Sequence, residues 1–150
     1  MKDIHDTCDF DNLSDSCKRI VIARDVLAQI GDHHIIPKQG TFIHFINYRT
    51  FDNNWKCKAC ALGSLAISKL LFEKCKLLDG IFCYNERDFC KSKLGFFSIH
   101  QLSLIERFFE GWGDFLYTLH QYPDSTSRLR AIMENIIENK GTFIPPERKL

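Results

Sequence analysis

Cys57 and Cys60 stand in the run Trp55–Ser64, read Trp-Lys-Cys-Lys-Ala-Cys-Ala-Leu-Gly-Ser. A Cys-x-x-Cys spacing supplies one half of a tetrahedral zinc site, and at a helix N-terminus it supplies a redox pair whose thiolate the helix dipole stabilises. Lys56 and Lys58 would add positive charge to either. A complete zinc site needs two further ligands, and the chain has no second Cys-x-x-Cys and no spaced histidine pair to provide them. His33, His34 and His44 could reach the cysteines only through the fold. The thioredoxin-like pattern places its cysteines after a strand in a βαβ unit, which is not visible here. The plain reading makes Cys60 a small buried residue at a close helix contact, with Cys57 at its rim.

Glu106, Glu110 and Asp114 recur every four residues and so share one helical face. Paired carboxylates serve acid–base chemistry or hold a hard cation. An acidic row opposite a Phe–Trp stripe is also what the solvated face of an amphipathic helix looks like. The segment 79–97 mixes Phe82, Tyr84, Phe89, Phe96 and Phe97 with Arg87, Lys91 and Lys93. Aromatics interleaved with cations can stack on single-stranded RNA, or can cover a core with cations at the rim. This segment is the best candidate contact surface, with Arg87, Phe89, Lys91 and Lys93 from the segment itself and Trp112 from beyond it as its binding residues.

The elements that must position these groups are mostly helices. Ser14-Asp15-Ser16 offers capping oxygens to a helix over about 16–33, with Ile20, Ala23, Leu27 and Ile30 at helical spacing. Thr41–Tyr48 is β-branched and aromatic, and predicts a short strand that could pair with 81–84. A helix over about 58–78 is apolar nearly all round and small in its first half, so it should be buried at the centre. Ser98 and Gln101 have capping-box spacing ahead of the stripe Leu102 to Leu119, which Gly111 and Gly113 divide or kink. Leu129, Ile132, Met133, Ile136 and Ile137 form the cleanest amphipathic pattern, closed by Lys140-Gly141. Ile35–Ile43 resembles Ile136–Ile144, and leaving an apolar segment through glycine explains the likeness without a duplication. The expected architecture is mainly α: one compact domain of four or five helices around the 58–78 helix, with at most a small hairpin. Residues 1–13 are expected as a loose acidic arm and 145–150 as a tail.

Bulk composition narrows the class. A chain of 150 residues with 45% hydrophobic content can bury a core without staples. Its formal charge is +1, short of the basic excess that phosphate binding requires. The seven cysteines are odd in number and the opening residues form no basic-plus-apolar leader, so free thiols and a cytoplasmic setting are expected. No stretch approaches the roughly 18 apolar residues of a membrane span.

Three stretches carry a resemblance. They are Cys57-x-x-Cys60-Ala61-x-Gly63-Ser64, then Gln101-Leu102-x-Leu104-Ile105-Glu106 continuing to Phe109-Glu110, and Arg128-Leu129 through Asn135-Ile136-Ile137-x-Asn139-x-Gly141-Thr142-Phe143-x-Pro145. In these the chain resembles a group of short bacterial and phage-borne proteins, over roughly residues 24–145. The resemblance implies context rather than chemistry, and no catalytic residue carries over. Accessory genes of phages and mobile elements often encode inhibitors of host defence, including anti-CRISPR proteins. The expectation is therefore a non-enzymatic binding protein that occludes or traps a host protein or ribonucleoprotein effector, with RNA contact an open question. Neither a cofactor nor a membrane is expected. The alternative is a small metal- or thiol-dependent protein using Cys57 and Cys60, with zinc as the metal. An enzyme built on Glu106 and Glu110 comes third, and requires a pocket beside their helix.

Overall fold

Side-chain oxygens start most of the longer helices. Ser14 accepts from the Cys17 amide and opens α2 (Asp15–Gly31), which follows the short α1 (Ile4–Thr7). Asp124 accepts from the Ser127 amide and opens α7 (Ser125–Glu138). Each cap satisfies an amide that the helix itself leaves unpaired. The computed structural model describes residues 3–46, 54–74 and 86–148. Between α2 and α7 come β1 (Ile35–Pro37), β2 (Ile43–Phe45), β3 (Cys57–Ala59), α3 (Ala61–Phe72), α4 (Glu86–Lys93), α5 (Ile99–Glu110) and α6 (Thr118–Gln121). The protein is mainly helical with a small three-stranded sheet.

The sheet departs from the expected hairpin. Its order is β1-β3-β2, with β3 parallel to β1 and antiparallel to β2. Thus 43–45 pairs with 57–59, while the proposed partner 81–84 lies outside the described residues. Cys57 and Ala59 are buried and Lys58 between them is half-buried, a period-two pattern that fits a strand. The helix expected over 58–78 accordingly begins only at Ala61. Cys60 is its N-cap, with Sγ accepting from the Gly63 amide at 3.5 Å. Helix α3 ends at Phe72, and 75–78 lie outside the described residues.

Small residues let α3 sit tightly against its neighbours, as the run Ala61, Gly63, Ser64, Ala66 and Ser68 predicts; all five are buried. Gly63 shows why: a Cβ there would stand 1.8 Å from the Phe42 carbonyl oxygen, so the strand approach and the helix start exclude any side chain. Around α3 pack α1, α2, α4, α5, β1 and β3. Helix α2 lies along α7, where Ile22, Val26 and Ile30 meet a core that includes Leu129, Ile132, Met133 and Ile136.

Segment 79–97 was expected to break the helical pattern, yet 86–93 is α4. Glu86 and Asp88 in its first turn and Lys91 and Lys93 in its last complement the helix dipole. The stripe from Leu102 divides where Gly111 predicts, since α5 stops at Glu110 and a 3-10 turn at Gly113–Phe115 leads into α6.

Both ends are fastened. The arm expected to be loose carries Phe10 into the core, stacked on Phe72 at 4.9 Å between ring centroids. At the other end, 142–146 run as a strap. The Gln101 side-chain amide donates to the Phe143 carbonyl at 2.9 Å and accepts from the Phe143 amide at 2.6 Å. Asn135 does the same to Ile144 at 2.7 and 2.9 Å, and the Tyr117 hydroxyl donates to the Pro146 carbonyl. Gln101 therefore spends its amide on the strap instead of reaching back in a capping box; Ser98 caps α5 alone. The repeated Ile-Ile…Gly-Thr-Phe-Ile motif shares only its glycine conformation, φ +78° at Gly40 and +95° at Gly141, because its first copy opens in a strand and its second in a helix.

Candidate functional site

A cleft of about 490 Å³ opens between α4 and α5. Its floor is apolar: Cys90 and Leu102 are buried and Leu62 of α3 is partly so. Arg87 and Lys91, four residues apart on α4, form one rim. Ile99, Ser103 and Arg107 of α5 form the other, and Trp112 stands just past the end of that helix. Ile99 is 65% exposed and Trp112 51%, large apolar side chains held in water on one opening. Glu86 and Glu106 also line it. Burial pushes the Glu106 carboxyl above its ordinary range, with repulsion from Glu110 and Glu86 adding to the rise.

The structure thus brings together three of the five predicted binding residues: Arg87, Lys91 and Trp112. The other two face elsewhere. Phe89 is buried, edge-on to Phe42 and packed with Ala66 and Leu70, because position 89 falls on the side of α4 that meets α3. Lys93 donates to Glu73 at 2.9 Å and ties α4 to the end of α3. A second, more open cavity of about 690 Å³ is lined by Asp114, Leu116, Tyr117, His120 and Arg148, and none of the predicted binding residues reaches it.

The cysteine pair sits in a different environment from the one its spacing suggested. Cys57 lies on β3, before the helix, and only Cys60 touches the helix start. Burial pushes both thiols up to about 12, overriding for Cys60 the amide of Gly63 that favours the thiolate. Both therefore stay protonated at neutral pH, and Cys57, expected at the rim of a helix contact, is instead fully buried on the sheet. His34 is engaged with Trp55, its Nδ1 2.6 Å from the Trp55 carbonyl and its ring stacked at 4.5 Å, and His44 is exposed on β2. Among the described residues no group of three or more His, Cys, Asp or Glu side chains is placed to hold a metal ion.

The carboxylate row separates in the same way. Glu110 is buried and its carboxylate accepts from the Gly40 amide at 2.9 and 3.1 Å, fixing the turn after β1. Asp114 lies beyond the end of α5, so it leaves the shared face. Of the three, only Glu106 lines the α4–α5 cleft, which it shares with Glu86 of α4.

Two polar clusters escaped the sequence reading. Asp25 is buried in α2, accepting from Ser68 Oγ at 2.7 Å and Gln29 Nε2 at 3.1 Å, with His5 Nε2 2.9 Å away as an ion pair. Asp25 and Gln29 fall on the same stripe as Ile22 and Val26, and that break in an apolar face was the available signal. Arg128, 1% exposed, donates to the carbonyls of Phe109 and Tyr122 and closes the carboxyl end of α5 onto α7. Comparison with known proteins found no matching family model, no matching curated protein and no matching solved structure.

Proposed function

We propose that this chain is a non-enzymatic binding protein of phage or mobile-element type, and that it acts by docking the α4–α5 cleft on a host defence nucleoprotein and occluding a working surface. The observation that supports this is the gathering of Arg87, Lys91 and exposed Trp112 on one opening beside exposed Ile99. An aromatic anchor with a neighbouring apolar side chain and a charged rim is the usual make-up of a protein–protein hot spot. Glu86 and Glu106 sit among the cations, and carboxylates at that position repel a phosphate backbone. The contact is therefore with protein, not with the RNA of such a complex. Helices packed about α3 serve as the rigid support for the cleft.

Tagged protein drawn from host lysate, with and without ribonuclease, tests the reading. A stoichiometric partner should survive nuclease and be lost, by about tenfold or more, in Trp112→Ala and in Arg87→Glu/Lys91→Glu, the scale of a hot-spot truncation. Lys93→Glu should leave binding intact, since Lys93 faces Glu73. Retention of the same partner by both cleft variants would sink the proposal.

A further inference from the structure

Two carboxylates face each other across the cleft, and that pairing specifies an occupant. On α4, Glu86 and Cys90 are four residues apart and so share one side of the helix; on α5, Leu102 and Glu106 do the same. Five residues, 94–98, connect the two helices, so the end of α4 lies by the start of α5 and Glu86 lies toward Glu106. The influence of Glu86 on Glu106 and Glu110 agrees with that placement. One end of an apolar floor therefore carries two carboxylates, with Trp112 beside them. Among the described residues neither carboxylate has an ion-pair partner within 4.0 Å. Cations line the cleft as well: Arg87 and Lys91 of α4 are exposed, and Arg107 of α5 is half-buried. The Arg107 guanidinium lies over the Phe115 ring, and its Nε has no hydrogen-bond partner among the described residues.

Resting on the binding function argued above, we propose that the cleft takes a long cationic side chain, Arg or Lys, presented by an acidic segment of a protein partner. The aliphatic stem of such a side chain covers Leu62, Cys90 and Leu102, as amphipathic cations do on apolar surface. Its charged head meets Glu86 and Glu106 next to the Trp112 ring, a setting that favours a cation on both counts. Carboxylates on either side of the anchor match Arg87, Lys91 and Arg107. A purely apolar anchor would leave the half-buried Glu106 facing a dry surface without a partner, which opposes binding. A phosphate would meet Glu106 directly and be repelled.

Random short peptides displayed on phage, panned against the wild-type protein and counter-selected on Trp112→Ala, provide the test. The expected sequences carry Arg or Lys flanked by Asp or Glu, and bind Glu86→Gln/Glu106→Gln at least about tenfold more weakly, the size of one lost charge-assisted hydrogen bond. That double variant is isosteric, and an unchanged thermal melt shows that it folds. Glu86→Lys, an exposed change, should turn the selection toward acidic anchors. Trp112-dependent peptides that lack Arg and Lys, or that ignore the glutamine substitutions, would overturn the cationic anchor while leaving the cleft as a protein-binding surface. A selection without any Trp112-dependent peptide would overturn it as well. The broader reading fails only in the lysate experiment, when Trp112→Ala keeps the natural partner.

Discussion

His5 is the most consequential single side chain outside the cleft. Its Nδ1 lies 2.6 Å from Asp3 and its Nε2 2.9 Å from Asp25, while its ring meets Phe72 edge-on at 4.7 Å. Burial of the ring opposes the proton, but the carboxylates of Asp25 and Asp3 outweigh it and raise the pKa above 6.5. Asp6, on the same short helix, is drawn away to Lys74, and Lys69 of α3 is shared by Asp11 and Glu73, so neither offsets the pair. The sign of the linkage follows. A group whose folded pKa is raised gives stability that is fully present below its unfolded pKa and is lost as pH rises through the folded value. His5→Gln should therefore cost about 2 kcal/mol at mildly acid pH, with the deficit shrinking on the alkaline side. Urea unfolding of both proteins across that range checks it, and a pH-independent difference would contradict the ion-pair account. Sequence alone signals Asp25, as a break in an apolar stripe, but not its partner, because Asp25 and His5 are brought together by the docking of α1, not by spacing. The Cys-x-x-Cys spacing was visible at once, yet its chemistry depended on burial, which spacing does not encode.

Element by element, legibility tracked capping and periodicity. Helices α2 and α7 were readable to within two residues, since each has a polar cap and apolar residues at helical spacing. Helix α4 was not, because it is short, with an apolar face limited to Phe89 and Cys90. The start of α3 was misplaced because small apolar residues suit a buried strand and a buried helix alike, and pairing with β1 and β2 decided in favour of β3. The strap was the least legible element. Its hydrogen bonds come from the side chains of Gln101 and Asn135, 42 and 9 residues away in sequence, and no local pattern predicts them. Phe143 is 1% exposed and meets Phe108 edge-on at 5.3 Å, so it anchors the strap in the core. Phe143→Ala should cost about 3–5 kcal/mol. Gln101→Ala should speed hydrogen exchange at the Phe143 amide while leaving α7 protected, and loss of protection throughout α7 would show that the strap and helix open as one unit.

Across the whole molecule, the near-neutral charge and the mixed rim of the cleft set how association should respond to salt. Binding through one anchor and interleaved charges should weaken by less than about tenfold between about 50 and 200 mM salt, against about 10³–10⁵ for a protein neutralising 6–10 phosphates. Titration of the purified partner at the two salt levels distinguishes these regimes, and a steep loss would count against protein-directed docking. The positions of the two tryptophans have an optical consequence. Trp55 is 5% exposed and stacked on His34, whereas Trp112 is half in water on the mouth of the cleft. One indole thus emits from a dry, quenchable site that exists only while the chain is folded, and the other from a wet site that dries when something docks. A single emission spectrum carries two independent signals, a blue component that follows unfolding and a red component that follows occupancy, with no label attached.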